Sequence, residues 1–148
     1  MKMLRIKNTV KHVSLGLILI MSLSGCGNDD VLLDDAQFTA LRALIGDWDL
    51  GNGSGYIRLD DVDVSANYEG FSLFYADRQY RTTNAADLFR ATGTWEWVDE
   101  EATTVRLDDG KEITILLLTE NRFTFSFNLA GTSQRAGLPG NYVISVVR

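Results

Sequence analysis

The sequence predicts an all-β domain, an antiparallel sandwich or barrel of short strands with one helix on its N-terminal side. Three observations lead to this prediction. From Trp48 onward apolar and polar residues alternate with a period of two, most clearly at Phe123, Phe125, Phe127 and Leu129. Turn-forming residues separate these patterns at even spacing. A clear helical pattern precedes the first strand, and no second one follows it. Roughly 100 residues of this kind form one domain.

The alternating patterns predict nine strands and a candidate tenth. They lie at residues 47–51, 55–60, 71–76, 79–83, 92–98, 103–108, 111–118, 122–129 and 141–147, with 62–64 as the candidate. Two of them begin alike, with Gly46-Asp47-Trp48 and Gly93-Thr94-Trp95. We interpret this repeat as shared hairpin chemistry, in which Gly46 and Gly93 start a strand and Trp48 and Trp95 bury a large face. A gene duplication is the less favoured alternative, because nothing else in the two halves aligns.

Residues 34–46 form the predicted helix. Asp34 is a suitable N-cap with Gln37 three residues later, and Gly46 supplies a stop. Four apolar residues share one face of this helix: Phe38, Leu41, Leu44 and Ile45. Because so short a helix is not stable alone, we expect this face to cover the end or the flank of the β structure.

The N-terminal 25 residues have the features of an export signal. A basic stretch (Lys2, Arg5, Lys7 and Lys11) precedes an apolar run at 13–23, which is shorter than the roughly 20 residues that a membrane-spanning helix needs. The run ends in Leu23-Ser24-Gly25-Cys26, which resembles the lipobox of bacterial lipoproteins. That resemblance implies cleavage before Cys26 and attachment of a diacylglyceryl group and an acyl chain such as palmitate to it. The alternatives are an ordinary secretory signal and an uncleaved anchor.

Residues 26–33 are then a polar tether, and residues 34–148 are the exported domain. Gly27 follows the cysteine where aspartate would favour inner-membrane retention, so the sorting rule of enteric bacteria predicts the outer membrane. Asp29-Asp30 resembles a surface-export signal of some Bacteroidetes-type lipoproteins. We therefore expect a lipid-anchored protein on the periplasmic side of the outer membrane or on the cell surface.

The exported part is strongly acidic. The whole chain has 14 Lys and Arg against 20 Asp and Glu; losing the four basic residues of the signal leaves ten against twenty, a net charge of −10. Such a field repels nucleic acid and anionic lipid headgroups. We expect no nucleic-acid partner, and a membrane attachment that depends on the lipid at Cys26.

The residue inventory argues against most catalytic chemistry. His12 is the one histidine and leaves with the signal, while Cys26 is the one cysteine and would carry the lipid. Histidine-dependent triads, thiol nucleophiles and the usual zinc sites are thereby excluded from the exported part. The segment starting at Asp61 opens like a calcium loop but has Ala66 and Ser72 where glycine and glutamate are required. We expect no enzyme activity, no metal and no cofactor.

Several short motifs resemble one family. A helix that runs into Gly46-Asp47-Trp48 looks like the entrance to the lipocalin barrel, and three further stretches are similar to the lipocalin-like domains of Bacteroidetes-type lipoproteins: residues 68–71, 93–95 with 107–111, and 118–123. The Thr-Asp-Tyr motif of animal lipocalins is absent. For the arginine that stacks over the first tryptophan in that family, the candidates are Arg148 and Arg122. The resemblance implies an antiparallel up-and-down β-barrel of eight to ten strands with an N-terminal helix.

Three functions are compatible with such a barrel. The leading hypothesis is a lipid-anchored protein that holds a small apolar ligand inside, which requires an unfilled interior. The second is a protein-interaction module, for example a hydrolase inhibitor or an accessory subunit of an envelope complex, that uses loops on a rigid barrel. The third is a structural role. Seven aromatic residues are numerous enough to fill the interior and would then be core: Phe71, Trp95, Trp97, Phe123, Phe125, Phe127 and Tyr142.

Overall fold

The computed structural model describes residues 35–131 and 138–148. The signal peptide, Cys26, the tether and the expected N-cap Asp34 lie outside this part of the chain. The helix α1 (Asp35–Leu44) and the strands belong to one compact unit, Leu32–Arg148. The strands are β1 (Gly46–Asp49), β2 (Tyr56–Leu59), β3 (Val62–Asp63), β4 (Ser72–Ala76), β5 (Gln79–Thr83), β6 (Thr92–Trp97), β7 (Thr104–Leu107), β8 (Glu112–Leu118), β9 (Arg122–Leu129) and β10 (Gly140–Val147). All predicted strands are present, with ends within two residues of those expected.

The strands form one antiparallel sheet that closes on itself, so the predicted all-β barrel is confirmed. Each strand from β4 to β10 pairs with the next, β1 pairs with β4, and Asp49 of β1 pairs with Val147 of β10 to complete the ring. Side chains alternate between the two faces of the sheet. The inward residues pair across successive junctions, as Trp48 does with Leu73 and Tyr75 does with Tyr80. Closure therefore removes the sheet edges that a sandwich would leave.

The first hairpin of the barrel is longer than its separate strands suggest. Asp49 of β1 pairs with Val147, and Tyr56 of β2 pairs with Ser145. Both strands therefore run antiparallel to β10, one after the other along its length. Residues 50–55 are an excursion between them. In the same way β3 pairs with β2 and β4 pairs with β1, with a short 3-10 helix (Ser65–Tyr68) between β3 and β4. The ten strands thus make an eight-stranded ring whose first two members are interrupted.

Helix α1 lies at the end of the barrel where β1 begins and β8 ends. Leu44 is fully buried and Leu41 packs on the core, as expected. The expectation was wrong for Phe38 and Ile45, which are 54% and 39% exposed. Residues advance by 100° around a helix, so the face of Leu41 and Leu44 points inward while Phe38 lies roughly a quarter turn away. No helix of the described residues is long and apolar enough to cross a bilayer.

Gly93 of β6 occupies an inward position that has room for no side chain. A Cβ there would lie 2.5 Å from both Tyr80 Cε1 and Asp108 Oδ1. The ring of Tyr80, on the neighbouring strand, fills the space. Gly46 has a different constraint, because its φ of +131° at the start of β1 is one that residues with a side chain rarely adopt.

Candidate functional site

A continuous column of aromatic rings runs through the interior of the barrel. It starts with Trp48, whose ring centroid is 5.8 Å from that of Phe123. Phe123 stacks on Phe125 at 4.6 Å, Phe125 is followed by Phe127 at 6.4 Å, and Phe127 stacks on Tyr142 at 5.4 Å. All five side chains are buried. Phenylalanines at alternate positions of β9 therefore form the core between the two ends.

Trp48 closes the α1 end of this column. Its Nε1 donates a hydrogen bond of 2.8 Å to the carbonyl oxygen of Leu44, the last residue of α1. The guanidinium carbon of Arg148 lies 4.0 Å from the centre of the Trp48 ring, and its Nη2 donates to the carbonyl oxygens of Ala43 and Ile45. Arg148, rather than Arg122, is thus the arginine that covers this tryptophan. The C-terminal residue ties helix and barrel together.

Trp95 binds the β4–β5 turn at the same end of the barrel. Its Nε1 lies 3.1 Å from the carbonyl oxygen of Ala76 and 3.2 Å from that of Gln79, on either side of the β4–β5 turn. The ring meets Tyr75 edge to face at 5.9 Å and Trp97 at 5.1 Å. Trp97 Nε1 is buried and has no acceptor within the described part of the chain.

The opposite end is closed by the loop between β5 and β6, residues 84–91. Its Leu88 and Phe89 side chains are buried, and the Phe89 ring centroid lies 5.1 Å from that of Phe127. The loop includes two non-glycine residues with positive φ, Asn84 at 50° and Ala86 at 46°. For alanine this conformation costs roughly 1–2 kcal/mol. Two of the side chains that pack inside the barrel, Leu88 and Phe89, therefore come from a loop whose backbone conformation is uncommon.

Lys111 lies beneath this loop. Its ammonium group donates to the carbonyl oxygen of Leu88 and lies 4.6 Å from the centre of the Phe89 ring and 5.1 Å from that of Phe127. The carboxylate of Asp109 is 4.0 Å away, and the two side chains are only 7% and 6% exposed. A buried charged group must be paired. This pair and the two rings hold the loop in the barrel mouth.

Burial raises the pKa of three tyrosines, among them Tyr75 and Tyr80, and hydrogen bonds lower the pKa of two aspartates, one of which is Asp99. Burial raises the pKa of Tyr75, and burial together with the charges of Asp108 and Asp109 raises the pKa of Tyr80 to about 12. Burial raises the pKa of Asp99, but hydrogen bonds from Thr103 and Thr104 outweigh it and the pKa is lowered. None of these groups is brought close to physiological pH, so the structure indicates no general acid or base among them.

An apolar groove of about 530 Å³ runs between α1 and the barrel. We call it the α1–β8 groove. Its walls are the alanines of one helix face, a residue of the β6–β7 turn and two residues of β8, with one charged residue at the rim; its lining consists of Asp35, Ala36, Thr39, Ala40, Ala43, Ala102, Ile115 and Leu118. Gln37 Nε2 donates to the carbonyl oxygen of Asp99 at 2.9 Å and fixes the helix on the β6–β7 turn. Other clefts lined by described residues, at the β6–β7 hairpin, the β5–β6 strands and the 50–55 excursion, have more polar walls.

Six of the seven aromatic residues that the sequence offered as core are buried and Trp97 is partly buried, but sequence reasoning missed three features of the ends. Lys111 follows Asp-Asp-Gly, a pattern typical of an exposed turn. The apolar pair Leu88-Phe89 within a polar stretch was a signal for the loop that closes the mouth. The spacing of Ala36, Ala40 and Ala43 was a signal for a second, shallow helix face.

Comparison with known proteins adds no relative: no family model, no curated protein and no solved structure matches this chain. Within residues 35–131 and 138–148, no three His, Cys, Asp or Glu side chains come together as a metal site would require. The fold, the aromatic core and the α1–β8 groove are therefore the basis for the functional proposal.

Proposed function

We propose that this protein is a lipid-anchored protein of the bacterial outer membrane whose barrel is a rigid, filled scaffold for binding another envelope protein. The observation that carries the proposal is the aromatic column from Trp48 to Tyr142, which occupies the place where an apolar ligand would lie. A barrel filled in this way leaves its outer surface and loops as the working parts. The proposal includes no catalytic step.

The signal sequence and Cys26 are the basis for proposing a lipid anchor. The α1 end of the barrel is the basis for proposing a relation to lipocalin-like lipoproteins. The contact between Arg148 and Trp48 supports this relation, because the resemblance implies an arginine stacked over the first tryptophan. We therefore keep a lipocalin-like lipoprotein domain as part of the proposal.

Binding of a small apolar ligand is a second candidate, and one observation favours it. Leu88 and Phe89, which fill the mouth, come from a loop and not from a strand. If the loop moved out, a ligand could take their place. Saturable quenching or enhancement of tryptophan fluorescence by fatty acids at micromolar concentration would support this candidate over the scaffold.

The anchor is tested by changing Cys26 to Ala. We expect the variant to lose acylation and either to leave the membrane fraction or to remain an uncleaved precursor. Processing and fractionation identical to wild type would contradict the lipoprotein assignment.

Partner binding is tested by photo-crosslinking in the native envelope. A photoreactive phenylalanine analogue is placed singly at exposed Leu117 near α1, Val62 at the opposite end and Asn52 in the 50–55 excursion. We expect one discrete adduct with an envelope protein at one of these positions and none in an unrelated lipoprotein treated in the same way. The absence of a specific adduct at all three would contradict the interaction module.

A further inference from the structure

We propose that the α1–β8 groove is the docking surface of this scaffold and that it binds an amphipathic helix with basic flanks on a partner protein. This inference rests on the proposed interaction function and assigns it to one surface. Three properties of the groove lead to it: the small side chains of its helix wall, a pair of exposed leucines on β8 and carboxylates in and next to its lining segments.

The helix wall admits a close neighbour. Ala36, Ala40 and Ala43 lie on one side of α1, spaced by four and three residues, and face Ala102 and Ile115 across the groove. Small residues at this spacing let a second helix approach closely, because no long side chain keeps the backbones apart. The volume of about 530 Å³ is within the range of sites that bury several apolar side chains.

Two exposed leucines belong to β8, the strand that forms one wall of the groove. The pairing of β8 with β9 is irregular between Ile115 and Leu117, which is a β-bulge. A bulge re-aims side chains, and here two consecutive residues, Leu116 and Leu117, are 54% and 45% exposed. They lie in the chain between Ile115 and Leu118, which line the groove. Contiguous exposed apolar residues are more typical of binding surfaces than of the rest of a protein surface.

One carboxylate belongs to the groove lining and three more lie within two positions of lining residues in the chain. Asp35 is the charged residue of the lining. Glu100 and Glu101 precede Ala102, and Glu120 follows Leu118 by two positions; all three are exposed. An apolar groove with carboxylates in and next to its lining segments complements a helix that presents leucine-like residues on one face and Lys or Arg beside them. An acidic or purely apolar partner would leave these charges facing a like charge or a dry surface.

The probe is a fluorescein-labelled synthetic 18-residue peptide of leucine and lysine, with leucines at i, i+3, i+4 and i+7. It is titrated at physiological salt with residues 27–148, which contain the whole compact unit, and binding is followed by fluorescence anisotropy. We expect saturable binding that a scrambled peptide of the same composition does not show. Equal binding of the scrambled peptide would mean attraction by charge alone and would overturn the proposal.

Two substitutions with matched controls test the surface. Ala40→Trp fills the groove and is expected to weaken binding at least tenfold, whereas Phe38→Trp, on the same helix but outside the groove, is expected to change it less than twofold. Removing charge next to Ala102 in the chain with Glu100→Gln and Glu101→Gln is expected to weaken binding about three- to tenfold. The same loss of charge at the other end, Asp61→Asn with Glu69→Gln, is expected to have a smaller effect. Unchanged affinity of the Ala40→Trp variant would overturn the proposal.

Two other occupants are outcomes of the same assay. If peptide binds only after Leu32→Ser and Leu33→Ser, the groove belongs to the chain's own N-terminal residues. If laurate binds saturably and displaces the peptide, it belongs to an acyl chain. Each result would overturn the partner-helix proposal. A crosslink in the envelope at Val62 or Asn52 and none at Leu117 would keep the interaction function and remove only its assignment to this groove.

Discussion

Replacing Trp48 with alanine is expected to cost roughly 3–5 kcal/mol of unfolding free energy. The side chain is only 1% exposed, and removing a buried tryptophan costs about that much because the surroundings collapse only in part. The substitution also leaves the Leu44 carbonyl oxygen without its 2.8 Å donor and removes the ring beneath Arg148. Since domains of this size have about 5–15 kcal/mol in total, the loss is a large share.

The measurement is equilibrium unfolding of residues 27–148 in urea, followed by far-ultraviolet circular dichroism because the substitution removes a fluorophore. We expect the midpoint to fall with an unchanged m-value. Trp48→Phe keeps an aromatic ring but loses the hydrogen bond to Leu44, and should cost about 1–2 kcal/mol. A cycle with Arg148→Met should give a coupling of about 0.5–1 kcal/mol, since Arg148 is partly in solvent. A loss below about 1 kcal/mol for Trp48→Ala would refute its role as the end of the core.

Three further substitutions test other parts of the barrel by the same unfolding measurement. Gly93→Ala should cost roughly 1–3 kcal/mol because its Cβ would clash with Tyr80, and a cost below about 0.5 kcal/mol would contradict this packing. Lys111→Met should cost about 3–5 kcal/mol of unfolding free energy, because the carboxylate of Asp109 stays buried. Arg106→Met loses shorter ion pairs that are exposed and should cost far less. Equal costs for the two variants would contradict the buried pair. The pKa of Tyr80 is raised to about 12 in the folded state, so the stability that this group contributes is fully present below pH about 10. The unfolding free energy should therefore decline as the pH rises from about 10 to about 12. An equally steep decline in the Tyr80→Phe variant would show that another group is responsible.

The strands were predictable because alternation depends on local residues alone. Phe123, Phe125 and Phe127 had to face the same side of one strand. The choice between barrel and sandwich was not predictable from this pattern, because closure depends on a pairing between Asp49 and Val147, almost 100 positions apart. The family resemblance made that choice, and the structure agrees with it. Contacts between distant elements are what a single sequence shows least.

The candidate site was predicted in part for the same reason. Helical periodicity correctly placed Leu41 and Leu44 on the core, but it could not show that Phe38, on the same apolar stripe, stays exposed. The burial of Lys111 depends on Leu88 and Phe89, which come from another hairpin. A residue whose environment is supplied by distant segments carries no local mark of its burial.

The excursion at residues 50–55 gives this chain a place where its length can change. The strands on both sides are fixed independently in register, Asp49 against Val147 and Tyr56 against Ser145, and Gly55 donates to the carbonyl oxygen of Leu50 across its base. Residues 51–54 are exposed. An insertion there alters no pairing, and lengthening a closed surface loop costs little. Natural length variation and an engineered epitope or fluorophore tag should therefore be tolerated at this point, which contributes no residue to the lining of the α1–β8 groove.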